Sequence, residues 1–231
     1  MSQVLEVRAL GRRSYRDVLE LQRTLRLQRL DHSLPNDLLL LVEHDPVYTL
    51  GRSTAATSLP GGLDALRASG ADVVEIERGG DVTWHGPGQL VGYPIIDLTE
   101  HRADLHWYLR TLEAVLIEAL DRLGIPAERN PGRTGVWVRG RKIASIGVHV
   151  KQWVTLHGFA LNVDPELRWF DAIVPCGIHG VEMTSIAREL PSAAVEADLT
   201  ARASAAVVDA FRAAFACDPQ PAYPSCHARA G

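Results

Sequence analysis

Of the 24 basic residues in this 231-residue chain, 22 are arginine and only Lys142 and Lys151 are lysine. Lys142 opens a hydrophobic run, Gly140-Arg141-Lys142-Ile143-Ala144-Ser145-Ile146-Gly147. A cation needed for solubility is arginine almost everywhere here. Lysine differs because a poorly solvated ammonium can release its proton, while guanidinium stays charged. Lys142 is therefore the first candidate for proton transfer; the plainer alternative is that it caps a turn. The matching nucleophile is Cys176, in Ile173-Val174-Pro175-Cys176-Gly177-Ile178. Pro175 stiffens the backbone before the thiol and Gly177 frees it afterwards, which suits a nucleophile at a pocket mouth. The plainer reading is a buried cysteine used as a small hydrophobe. A free thiol titrates near ~8.5, and an adjacent ammonium would raise its thiolate fraction.

The most glycine-dense stretch is Arg78-Gly79-Gly80-Asp81-Val82-Thr83-Trp84-His85-Gly86-Pro87-Gly88-Gln89. Two glycine clusters around a short strand-like piece would let backbone approach a ligand closely. They would equally make two tight turns of a β meander. The spacing is neither a Walker loop nor a dinucleotide fingerprint. His85 is read as lining a substrate site. His149, His157 and His179 keep a Cys–His dyad open, with His157 as a supporting group. No cysteine-protease pattern surrounds Cys176, and no Gly-x-Ser-x-Gly elbow is present.

The elements that must position these residues follow from periodicity. A helix is predicted from Ser14 to about Gln28, whose arginines (Arg16, Arg23, Arg26, Arg29) read as a solvated face or as a surface for an acidic partner. Asp37–Glu43 reads as a buried strand, and Pro46–Arg52 as a second extended segment. Residues 53–70 read as a long loop with a short helix. Val73–Glu77 and Gln89–Leu98 read as strands, and Asp104–Leu123 as the longest helix, one apolar stripe buried. Gly135–Val138 and Lys142–Ile146 flank a hairpin turn, Val154–Val163 is a further strand, and residues 195–216 form a last helix. Thr184 or Ser185 caps a helix too far beyond Cys176 to activate it. Strands grouped in hairpins with helices between them predict an α+β fold, a mixed sheet packed with helices. The prediction is one domain over residues 1–231, with about 218–231 a loose tail.

An apolar fraction of 46% and a charged fraction of 23% predict a real core. The net charge of −4 gives no support for nucleic-acid binding. The first residues do not read as a secretory signal, and no apolar run approaches the roughly 20 residues that span a bilayer. A cytoplasmic protein is expected, with no membrane partner. Three cysteines fit a reducing compartment better than a disulfide framework. Cys176, His179, Cys226 and His227 match no zinc pattern, so no metal is expected.

Five segments in order resemble the lipoyl(octanoyl) transferase family. They are Glu43–Arg52, the Arg78–Gln89 glycine segment, Gly140–Gly147, His157–Val163 and Phe170–Ile178. Asp45, where the family often has proline, and Trp84, where tyrosine is frequent, are the departures. The resemblance implies the fold of the biotin/lipoate protein ligase catalytic domain. It implies that Cys176 takes octanoyl from the phosphopantetheine thioester of octanoyl-acyl carrier protein and passes it to a lysine ε-amino group. The acceptors would be lipoyl domains of 2-oxoacid dehydrogenase complexes and the glycine cleavage H protein. Substrate-lining positions would be Arg78, Gly79, Gly80, Asp81, Val82, Thr83, Trp84 and His85, then Ser145, Ile146 and Gly147, then Gly158, Phe159 and Ala160. Thioester-to-amide transfer is downhill, so neither ATP nor another cofactor is expected. An ATP-dependent ligase of the same fold would keep the lysine and need no cysteine. A hydrolytic cysteine enzyme and a non-catalytic binding module are the remaining alternatives.

Overall fold

The computed structural model describes residues 5–177, 180–191 and 198–215. The predicted tail at 218–231, with Cys226 and His227, lies outside the described residues, as do His179 and Cys217.

A seven-stranded sheet runs in the order β1 (Glu6–Arg13), β2 (Leu38–His44), β6 (Gln89–Ile95), β10 (Val154–Asn162), β9 (Arg141–Lys151), β8 (Arg133–Val138), β7 (Glu128–Asn130). Only β1 and β2 pair in parallel; the other neighbours are antiparallel. A smaller sheet carries β3 (Val47–Leu50) between β4 (Asp72–Glu75) and β5 (Thr83–His85). The strands of β2 explain the continuous apolar run. Leu38, Leu40 and Val42 enter one core beneath α1 (Tyr15–Leu30), while Leu39 and Leu41 enter the other. A strand covered on both faces needs apolar residues at every position.

The second core is closed by α3 (Leu105–Arg122) and α5 (Leu199–Phe215), through Leu112, Leu116, Val207 and Phe211. Side-chain caps set the helix starts: Ser14 accepts from the Asp17 amide at 3.2 Å, and Asp104 from the Trp107 amide at 3.0 Å. Short helices α2 (Gly62–Ala68) and α4 (Ile186–Glu189) complete the set, the latter capped by Ser185.

β1 was not legible in the sequence. Its residues are mostly half-buried or exposed, because it is an edge strand, and so it lacks an apolar signal. The strand expected over Gln89–Leu98 stops at Ile95, where Asp97 caps a 3-10 turn over Leu98–Glu100.

Of the α1 arginines, Arg16 and Arg23 lie on a solvated face, as expected, but pair with carboxylates, whereas Arg26 is half-buried and Arg29 buried. Arg16 binds Asp72 at 2.7 Å and Arg23 binds Glu77 at 3.0 Å, tying the helix to β4 and the residues just beyond it. Arg26 donates to the Lys151 carbonyl at 2.7 Å. Arg29 is 1% exposed; it donates to Asp37 at 3.1 Å and pairs with Glu100. Asp37 also meets His101 at 2.6 Å. Arg16, Arg23 and Arg29 thus meet the protein's own carboxylates, and Arg26 a backbone carbonyl. Because removing one member of a buried pair typically costs about 3–5 kcal/mol, Arg29→Ala should lower the urea unfolding free energy by roughly 3 kcal/mol. A change below about 1 kcal/mol would show the cluster to be worth no more than a surface pair.

Candidate active site

Lys142 does not cap a turn. The β8–β9 turn is made by Arg139 and Gly140, both at positive φ, and Lys142 lies within the strand that follows. Its amide donates to the Glu182 carbonyl at 2.8 Å, and its carbonyl accepts the Thr184 amide at 2.9 Å. The result is a one-residue parallel bridge to Met183. The side chain is 2% exposed, with its ammonium 5.5 Å from the Trp137 ring centroid. Gly135 of β8, at φ +126°, makes room for it. A Cβ there would lie 2.8 Å from the lysine Cε and 2.7 Å from the Ala144 carbonyl oxygen. Behind it, buried Glu113 of α3 accepts the Gly135 amide at 3.2 Å.

The side chain of Cys176 lies outside the described residues; its backbone belongs to a 3-10 turn over Pro175–Gly177. That turn is anchored from upstream. A 3-10 helix over Leu167–Ala172 packs on the small sheet, where Trp84 stacks on Trp169 at 5.7 Å and meets Phe170 edge-on. The Val174 amide donates to the Ser58 carbonyl at 2.9 Å. Gly177, at φ +66°, passes so close to Asp81 that a Cβ would sit 2.6 Å from its Oδ2. The same oxygen accepts the Ser58 hydroxyl, and Oδ1 accepts the Val82 amide. One stretch of chain thus leaves Asp81 at Gly177 and is bonded to Lys142 by residues 182 and 184.

A narrow cleft with about 50 Å³ of free space starts beside Asp81 and Thr83. Its floor is β9 and β10, where Ala160 faces Ser145 and Gly158 faces Gly147. Val91 and Tyr93 of β6 extend the floor. The Arg78–Asp81 loop forms one wall and is held down by the Gly79 amide, which donates to the Val148 carbonyl at 2.9 Å. Arg78 is 7% exposed and donates to the Thr49 carbonyl and hydroxyl at 2.9 and 3.0 Å. A wider hollow of about 540 Å³ opens against Val174 and Pro175, lined also by Arg168, Asp171, Glu182 and Arg188.

Hydrogen bonds fix the tautomers of two buried histidines. Gln89 Nε2 donates to Asn162 Oδ1 at 2.9 Å, so its Oε1 must accept from His85 Nδ1 at 3.1 Å. Asn162 in turn donates to the Thr184 carbonyl at 2.9 Å, linking the cleft to the segment bonded to Lys142. His44 Nδ1 donates to the Arg13 carbonyl, leaving Nε2 to accept from the Tyr93 hydroxyl at 2.7 Å. Burial, with the charges of His44 and Arg78 behind it, pushes His85 down from 6.5 to about 3. Burial likewise lowers His44 to about 4. Burial raises the Tyr15 and Tyr93 phenols. His85 is therefore a neutral donor and acceptor at physiological pH, unsuited to being the proton carrier.

Of the sequence-predicted lining residues, Arg78, Gly80, Asp81, Thr83, His85, Ser145, Ile146, Gly147, Gly158, Phe159 and Ala160 border this cleft. Ile146 and Phe159 are register partners that also pack into the α3–α5 core. Gly79, Val82 and Trp84 do not border it. Gly79 is bonded down onto β9, while Val82 and Trp84 are buried in the core of the small sheet. Tyr15, Val91, Tyr93 and His157 line the cleft without having been singled out as lining residues. Tyr15 read as an apolar helix residue, and only the docking of α1 on β6 and β10 shows what it faces.

The chain that builds this mixed sheet flanked by helices matches the Lipoyl protein ligase A/B catalytic domain family over residues 14–212. The chain belongs to that family. It is 54% identical over 164 residues to an octanoyltransferase of Gloeobacter violaceus, covering 71% of this chain and 72% of that one. It is 50% identical to an octanoyltransferase of Rubrobacter xylanophilus, covering 84% and 90% respectively. Its fold is that of a bi-partite lipoate protein ligase from Thermoplasma acidophilum, with TM-score 0.72 at 16% identity, covering 94% of this chain and 86% of that one. The chain is an acyltransferase acting in octanoyl transfer for lipoylation. Among the described residues no helix is long and apolar enough to cross a membrane, and no cluster of three or more metal-binding side chains occurs.

Between pH 4 and 6.5 the unfolded chain binds protons that buried His85 and His44 refuse, so stability rises with pH there and is fully present above 6.5. Urea midpoints measured across that range should fall as pH falls. His85→Asn should reduce the slope by about one proton, or about 1.4 kcal/mol per pH unit. An unchanged slope would mean that His85 titrates normally in the folded protein. Gly177→Ala should cut transfer by about tenfold or more while shifting stability by only about 1–2 kcal/mol, because it forces the turn off Asp81. Steady-state rates beside thermal melts check this; full activity would show that the turn can adjust freely.

Proposed function

We propose that the enzyme takes octanoyl from octanoyl-acyl carrier protein onto Cys176 as a thioester and passes it to a lysine ε-amino group of a lipoyl domain. Lys142 is the proton acceptor in both half-reactions. In the first, the Cys176 thiol gives its proton to neutral Lys142 while its sulfur attacks the donor thioester. The phosphopantetheine thiol leaves, taking up the proton. In the second, the neutral acceptor amine attacks the acyl-enzyme, Lys142 accepts the amine proton and returns it to the departing sulfur, and Cys176 leaves as thiol. Bonds and protons balance without ATP, and no cofactor is invoked.

The observation that carries this reading is the backbone bridge from Lys142 to Met183. It fixes a deeply buried amine beside the chain that emerges from the Cys176 turn. The glycine- and alanine-floored cleft supplies the acyl slot, and at ~0.8 kcal/mol per buried methylene an eight-carbon tail gains several kcal/mol there. Its walls must part slightly as the tail enters. The hollow of about 540 Å³ against Val174 and Pro175, beside the turn that carries Cys176, offers room for the phosphopantetheine arm. The acceptors are lipoyl domains of 2-oxoacid dehydrogenase complexes and the glycine cleavage H protein, in the cytoplasm.

Intact-mass measurement after exposure to octanoyl-carrier should show one octanoyl adduct, absent in Cys176→Ser. An adduct-free wild type that still transfers octanoyl would overturn the thioester route. Lys142→Arg keeps the charge but cannot give up a proton, and should lose about 10²–10⁴-fold in kcat. Wild-type turnover by that variant would remove Lys142 from the mechanism.

A further inference from the structure

The far end of the cleft is polar in a way the octanoyl reading does not use. His157 borders the cleft at 1% exposure, yet neither ring nitrogen has a hydrogen-bond partner. Its nearest carboxylate oxygen, on Glu77, is 3.8 Å from Nε2, beyond hydrogen-bond reach. Gln22 of α1, 0% exposed, accepts the His157 amide at 3.0 Å and leaves its own Nε2 without a partner. Three buried polar atoms are thus unsatisfied at one place. His157 is also held at φ +60°, a conformation that L side chains adopt rarely and that persists where the surroundings impose it.

Register gives the direction. The Asp81 end of the cleft touches the Cys176 turn through Gly177. Along β9 the floor runs away from Lys142, through Ser145 and Gly147, to Val148, and Val148 is the partner of His157. His157 therefore stands beyond Gly147 on the side of the cleft that leads away from Lys142.

We propose that His157, supported by Gln22, is the specificity-determining end wall that sets the maximum acyl length. This rests on the octanoyl reading above. An acyl chain that stops short leaves the imidazole undisturbed. A longer chain drives methylenes against a ring that is already buried and backed by Gln22, and can advance only by displacing it.

His157→Gly is the main test, because glycine tolerates the positive φ and removes the wall. His157→Asn tolerates the same conformation while retaining a polar end. Initial rates are measured with octanoyl-, decanoyl- and dodecanoyl-carrier and a lipoyl domain. In His157→Gly the dodecanoyl-to-octanoyl ratio of kcat/KM should rise by about tenfold or more, mostly through KM. In His157→Asn it should rise less. Equal ratios in wild type and His157→Gly would overturn the inference while leaving octanoyl transfer intact. Failure of wild type to use octanoyl-carrier would overturn the octanoyl reading instead. Should His157→Gly not fold, a His157→Asn ratio indistinguishable from wild type overturns the proposal, and a raised ratio supports it.

Discussion

Two backbone hydrogen bonds, Lys142 amide to Glu182 and Thr184 amide to Lys142, hold the candidate site together. Side-chain contacts alone would leave the segment 182–184 freer to shift against the strand. A strand-like bridge instead ties that segment to the edge of a strand in the main sheet, whose position is set by the whole core. The geometry is reinforced by buried Glu189, which accepts from both Arg141 and Thr184, the residues flanking the bridge. Charge-assisted bonds of this kind hold polar backbone in place where water cannot compete.

The cleft follows a different rule. On β9 and β10 its floor includes residues with little or no side chain, Gly147, Gly158 and Ala160, which leave backbone open to the cleft beside Val91 and Tyr93. Its walls are polar but internally satisfied: Arg78 spends hydrogen bonds on Thr49, and His85 spends one on Gln89. Such walls can border an apolar chain without each demanding a partner from it. His157 breaks this pattern, which is why it stands out.

α1 links the cleft to the rest of the fold. It supplies Tyr15 at the cleft and Gln22 behind His157, and its arginines fasten it to β4, Glu77 and the β9–β10 hairpin.

What the sequence determined by itself was local. Residue chemistry marked Lys142 and Cys176. Periodicity placed α1, α3 and the central strands within a few residues, because each buries a continuous stripe or run. Ordered motifs identified the family. Only the tertiary structure decided which side chains share a cleft. Trp84 sits within the glycine segment yet turns into the small-sheet core to stack on Trp169, because adjacent strand residues point to opposite faces. Tyr15, Tyr93 and His157 come from three distant segments, and nothing local marks their meeting. The edge strand β1 was illegible for a related reason: its order comes from backbone pairing with β2, which leaves no apolar trace in the side chains.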